Sequence, residues 1–269
     1  KESLREYSRG IVGGLIFSLP LLYTMEVWWA GFQLGSVRIL MMLACTSLLL
    51  LAYNSYAGVH HDETWAGVFI DSVEELGLAL MVSASSLYML GRIQPGDSVR
   101  EVMGKTVVEA LLIAIGISIG TSQVSREGDD GAKVPGKRPK DLLGIVSLSF
   151  CGALVLATNI AATEEVVVLA LESTPRQLLA MVGVSLALCG LMLRFSDLME
   201  GRHSPLSSRA GRTLMGVVLA YGVALVSSSG ILYLLGRFDG MALTSMVAMT
   251  VVLAVPSSIG AAAGKILIR

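Results

Sequence analysis

The chain has 269 residues, 54% of them hydrophobic and only 15% charged, with a formal net charge of −1. A mean hydropathy of +0.70 excludes an ordinary soluble domain and a disordered polar chain. The near-neutral net charge says nothing about nucleic acid, but no basic stripe is present to bind it, so no nucleic-acid partner is expected and the lipid bilayer is the expected surroundings.

The polar start, KESLREYSR, is followed by no small-residue cleavage site, so a removable signal peptide is not expected. Residues 10–34 form the first apolar run. Its one charge is Glu26, next to Trp28 and Trp29, which read as an interfacial aromatic belt, and Pro20 predicts a kink. Residues 39–61 are uncharged and long enough to span a hydrocarbon core of about 30 Å. The HHDE cluster, residues 60–63, gathers four metal-ligand types in a loop, although Asp62 or Thr64 as a helix cap is the plainer role. The third run, 65–91, holds Asp71, Glu74 and Glu75, which at about 100° per residue share a single acidic face roughly 100° wide.

The fourth run, 106–125, contains Glu109. Lys105 stands four residues from both Glu109 and Glu101, so either is a candidate for an intrahelical ion pair. SREGDDGAKVPGKRPK, residues 125–140, has the Gly, Pro and charge content of a cytoplasmic linker. An uncharged run at 142–163 leads into Glu164 and Glu165 within TNIAATEEVVVLALES. Adjacent helical residues point about 100° apart, so both face one ion only if the helix breaks there. Asn159 points about 140° from Glu164 on a regular helix and is not expected to join it. Runs at 177–193, 213–236 and 241–264, the last with Pro256, complete eight expected spans. Cys45, Cys151 and Cys189 fall inside spans as small apolar residues, and GAAAG at 260–264 favours close helix packing or a homo-oligomer.

Two halves resemble each other. LYMLGR at 87–92 returns as LYLLGR at 232–237, offset by 145, and TVVEALLIAIGISIG at 106–120 returns as TVVLAVPSSIGAAAG, offset by 144. A weaker offset of 138 pairs Gly14 with Gly152, Glu26 with Glu164 and Arg38 with Arg176. The expected architecture is therefore an all-α membrane protein of about eight transmembrane helices in two parallel four-helix repeats. The halves are residues 1–124 and 141–269, joined by the linker at 125–140. Of the 20 basic residues, 14 fall on the side that holds both termini, which predicts an inner-membrane protein with cytoplasmic termini.

Seven acids lie within or beside these spans: Glu26, Asp71, Glu74, Glu75, Glu109, Glu164 and Glu165. A charge at the bilayer centre costs roughly 2.5–3.5 kcal/mol, so these groups are expected to be protonated, paired or wet. As hard oxygen ligands they suit Ca²⁺, Mg²⁺, Mn²⁺, Na⁺ or H⁺ and no resident cofactor. Glu26 and Glu164 are expected as a symmetric pair, with the other five in support. The expected function is a cation transporter or channel, for a divalent ion such as Ca²⁺ and in possible exchange for H⁺. The alternatives are a proton-coupled carrier of a small solute and a non-transporting scaffold or sensor. No HExxH, GxSxG or P-loop motif is present, so an enzyme is not expected.

With TMEVWW, DSVEELGLAL and TNIAATEEVVV, the chain resembles a bacterial family of multi-pass integral membrane proteins. The resemblance implies a membrane-embedded helical fold over nearly the full length and supplies no activity or site residues. Neither the paired signatures of the calcium/cation antiporter superfamily nor a TVGYG potassium filter is found.

Overall fold

Long runs of Leu, Ala, Val and Ile with few internal helix breakers dictate helices, because a bilayer leaves no other way to satisfy backbone groups within one segment. The computed structural model describes residues 2–57, 65–124, 142–199 and 206–267, and all its regular structure there is α-helix. The HHDE cluster and the whole linker at 125–140 lie outside the described residues.

The chain divides into two units, residues 1–139 and 140–269. The first contains α1 (Glu2–Leu22), α2 (Met25–Gln33), α3 (Ser36–Ala57), α4 (Trp65–Met89) and α5 (Val99–Val124). The second contains α6 (Leu142–Ala161), α7 (Glu165–Glu172), α8 (Pro175–Met199), α9 (Leu206–Leu234) and α10 (Leu243–Leu267). Each unit thus runs long, short, then three long helices.

The short helices correct the expected outline. Residues 10–34 do not form one rod: α1 and α2 meet at an angle of 87°. Pro20 withdraws a backbone donor from the end of α1, and Thr24 is extended at φ −97°, ψ 114°. The Thr24 hydroxyl donates to the Pro20 carbonyl (2.6 Å) and the Trp28 indole N–H to the Leu22 carbonyl (3.1 Å), satisfying orphaned acceptors. In the second unit α6 stops at Ala161 and α7 begins at Glu165, while the Arg237 guanidinium donates to the Ala162 carbonyl. Among the described residues, six helices have the length and apolarity of a span, or seven if the bent α1–α2 pair counts as one, against the eight expected. α4, at 25 residues, has the length but contains three carboxylates.

α5 is the axis of the first unit: 83% of its spanning window is buried, against 56% for α10. α1 crosses α5 where only glycine fits. A Cβ on Gly13 would lie 2.6 Å from the Gly116 carbonyl oxygen, and one on Gly116 would lie 2.7 Å from the Gly14 Cα. In the second unit Gly152 of α6 meets Gly260 and Gly264 of α10 just as closely. Such small-residue crossings are how helices associate where lipid removes the hydrophobic drive between them. The twin LYMLGR and LYLLGR segments are helix stops. Gly91 (φ 67°) and Gly236 (φ 75°) adopt the left-handed conformation. The Arg92 N–H then reaches the Leu87 carbonyl (2.8 Å) and the Arg237 N–H the Leu232 carbonyl (2.9 Å). Large apolar side chains such as Ile16, Leu40, Leu48, Leu179, Val184 and Leu191 are exposed, as lipid-facing surfaces require.

Candidate functional site

The site lies in the first unit, strung along α5. At its inner station, α4 presents Glu75 towards α3 and α5. Ser118 Oγ donates to Glu75 Oε2 at 2.5 Å and Asn54 Nδ2 donates to the same oxygen at 2.8 Å. Thr121 Oγ1 is 3.4 Å from Oε1. Asn54 also donates to Ser72 Oγ (3.1 Å), one turn before Glu75. Ser118 and Thr121 stand three residues apart and so share one face of α5. Glu75 is half-buried, and a carboxylate that gives up water is tolerated when hydrogen bonds replace it, as three neutral side chains do here.

The expected acidic face of α4 therefore splits. Glu75 turns inward, whereas Glu74 is exposed and accepts a hydrogen bond from the Tyr7 hydroxyl (3.1 Å). Asp71 is half-buried one turn earlier.

Glu109 is the middle station. It is completely buried, and among the described residues neither carboxyl oxygen has a hydrogen-bond partner. It is the centre of the candidate span Val99–Thr121, about 15 Å from one end and 18 Å from the other. The register set by Gly10 beside Ile117 and Gly14 beside Ile113, continued along α5, brings Glu109 level with the last turn of α1 near Ser18 and Pro20. An ionised carboxylate without partner or water costs several kcal/mol there, so this position admits the neutral acid or an acid holding a cation.

The pairing of Lys105 with Glu109 is not formed, which corrects one of the two expectations for Lys105. Its ammonium turns outward instead, to Glu101 Oε1 (2.6 Å), Asp97 Oδ2 (3.2 Å) and the Arg92 carbonyl (2.8 Å), satisfying all three donors. The Gln94 N–H and Lys105 together hold the Asp97 carboxyl below the usual carboxylate range. This knot floors a pocket of about 300 Å³ whose wall includes Trp28, Trp29 and Phe32. Arg92 lies over the Trp28 ring, 4.3 Å from its centroid.

The other expected site residues sit at helix breaks. Glu26 is half-buried in the first turn of α2, and Glu164 and Glu165 are exposed at the start of α7. The helix does break at Glu164, which frees the two acids from a common rod, but its consequence is exposure. Among the described residues no three His, Cys, Asp or Glu side chains gather into a metal-sized group. Asn54, Ser118 and Thr121 were not candidates from sequence. Their signal is faint, since Ser, Thr and Asn in apolar helices ordinarily serve helix packing.

The family model described as "Putative integral membrane protein (DUF2391)" matches residues 6–268, and the chain belongs to that family. No curated protein and no solved structure matches it.

Proposed function

We propose that this member of a family of integral membrane proteins moves cations across the bilayer, using the buried carboxyls of its first unit as relay sites. The observation that carries the reading is Glu109, wholly buried at mid-span with both oxygens unpartnered. A fold with a margin of about 5–15 kcal/mol gains nothing from such a group unless a proton or cation visits it. The polar stations follow α5 in order. The aromatic pocket at Lys105 comes first, then Glu109 about 6 Å deeper, then Ser118 and Thr121 with Glu75 some 13 Å further. Glu26 lies at one mouth of this path and Glu74 with Asp71 at the other. Glu164 and Glu165 occupy the corresponding break of the second unit. Glu75 stands among neutral oxygens and Glu109 among apolar groups, which favours H⁺ or a monovalent ion over Ca²⁺, Mg²⁺ or Mn²⁺.

The basic bias supports a reading in which both termini face the cytoplasm from a bacterial inner membrane. Matching helix order and matching glycine crossings support a duplicated ancestor and a parallel repeat. The pocket of about 300 Å³ gives the runner-up, a proton-coupled carrier of a small solute, a specific basis.

Proteoliposome flux under a pH gradient, and with Na⁺, Ca²⁺ or Mn²⁺, tests the proposal. Glu109→Gln is expected to abolish flux while elution and thermal unfolding stay normal. Undiminished flux in that variant overturns the assignment.

A further inference from the structure

Glu75 is held differently from Glu109, and the difference identifies an ion. Three side chains from two neighbouring helices converge on its carboxyl: Asn54 from α3, with Ser118 and Thr121 from α5. The Thr121 hydroxyl also lies within 3.1 Å of the Ile117 carbonyl and 3.2 Å of the Ser118 carbonyl, so the surroundings are rich in hard oxygen. We propose that Glu75, Asn54, Ser118 and Thr121 form a binding site for a single dehydrated monovalent cation of sodium size. This deepens the cation path proposed above and rests on it.

The chemistry follows from charge and donor type. Each hydroxyl has lone pairs as well as a proton, and an amide presents its oxygen by a half-turn about its last torsion. Rotating Ser118, Thr121 and Asn54 therefore converts three donors into three ligands without moving a helix. With both carboxylate oxygens, five hard oxygens surround one point. One carboxylate balances one positive charge, whereas a divalent ion would remain singly charged in a half-buried place.

A proton and a sodium ion exclude each other at one carboxylate, so binding is mutually competitive. Among the described residues, the charged or titratable groups on adjoining turns are Asp71 and Glu74 on α4, Tyr7 and Arg9 on α1, and Tyr53 and Tyr56 on α3. Asp71 and Glu74 add negative potential that favours either cation.

The test is thermal unfolding of the full chain in detergent, in NaCl, choline chloride or CaCl₂ at matched ionic strength. Na⁺ at tenfold its half-saturating concentration is expected to raise the midpoint by about 3 °C or more over choline. Ser118→Ala with Thr121→Ala is expected to shift half-saturation at least tenfold. Should that pair fail to fold, Thr121→Val, which keeps the shape and removes the hydroxyl, is expected to shift it in the same direction. Glu109→Gln is expected to keep the Na⁺ response. No Na⁺-specific rise, an equal rise in choline, a stronger one in CaCl₂, or an unchanged response in the hydroxyl variants overturns the site. Proton flux measured in parallel separates the two claims. Flux without a Na⁺ response sinks this site alone, and a Na⁺ response without flux sinks the transport reading.

Discussion

α5 and α10 hold the same position in their units, yet one is polar where the other is oily. At the 144-residue offset, Lys105, Glu109 and Ser118 of α5 correspond to Met249, Leu253 and Ala262 of α10, all three completely buried. At an offset of 145, Ser72 and Glu75 of α4 correspond to Val217 and Ala220, and at 138 Asn54 corresponds to Met192. Val217, Ala220 and Ala262 belong to one hydrophobic cluster, with Met192 packed on it. The second unit fills with methyl groups the space that the first fills with a carboxylate and its hydrogen-bond donors. Its buried polar groups, among the described residues, are hydroxyls alone, such as the Ser228–Ser257 pair at 2.9 Å. The lesson is that the helical scaffold does not need the buried charges.

The largest expected effect comes from exchanging the two middle residues. Leu253→Glu should prevent accumulation of folded protein, because roughly 2.5–3.5 kcal/mol of insertion cost falls on a completely buried position packed around an apolar side chain. Glu109→Leu should abolish flux and raise the unfolding midpoint, since it removes an unpartnered buried polar group worth about 1–3 kcal/mol. Monodisperse yield and thermal unfolding measure both. Equal tolerance of the two exchanges would break the comparison.

Next come the glycine crossings, where the units should behave alike. Gly116→Ala and Gly260→Ala each place a methyl against a neighbouring backbone and should each cost about 1–3 kcal/mol. A cost confined to one unit would show that the crossings are not equivalent. Installing the second unit's residues around Glu75 sharpens the contrast. Asn54→Met alone should cost about 1.5–3 kcal/mol by stripping a donor from the carboxylate. The combined Asn54→Met, Ser72→Val, Glu75→Ala and Ser118→Ala variant should recover that stability and still lack flux.

Glu164→Gln, at an exposed position, should change stability by less than about 0.5 kcal/mol. Flux abolished by that substitution would extend the path to the second unit. The smallest effect is electrostatic and lies at the pocket. The Asp97 carboxyl is lowered in the folded state, so its contribution is complete above the unfolded value of about 3.9 and fades as pH falls through the folded value. Wild type should exceed Asp97→Asn by a constant small margin above about pH 4, and that margin should vanish as the pH falls further.

Much of this was legible in the residues themselves. Apolar runs of spanning length fixed a helical membrane protein. Pro20 announced the disturbance near the end of α1, because a missing backbone donor is a property of local chemistry, whereas LYMLGR and LYLLGR were legible as a repeat and not as helix stops. Glu109 was legible as an unusual charge in an oily run. The partner of Lys105 was not, since Glu101 and Glu109 are equally spaced from it and only the fold decides which way a flexible side chain turns. The donors around Glu75 were equally hidden. Asn54, Ser72 and Ser118 are separated by up to 64 positions in the chain, and nothing local marks them as neighbours. That the acidic pair at 164–165 stands exposed at a helix break was not legible, because whether a Thr-Glu-Glu step continues or ends a helix depends on its tertiary surroundings, where the Ala162 carbonyl meets Arg237. Composition and spacing thus determined the elements and the solvent they live in. Which acids lost their water was decided by helix contacts between distant segments, where burial and hydrogen bonding are settled together.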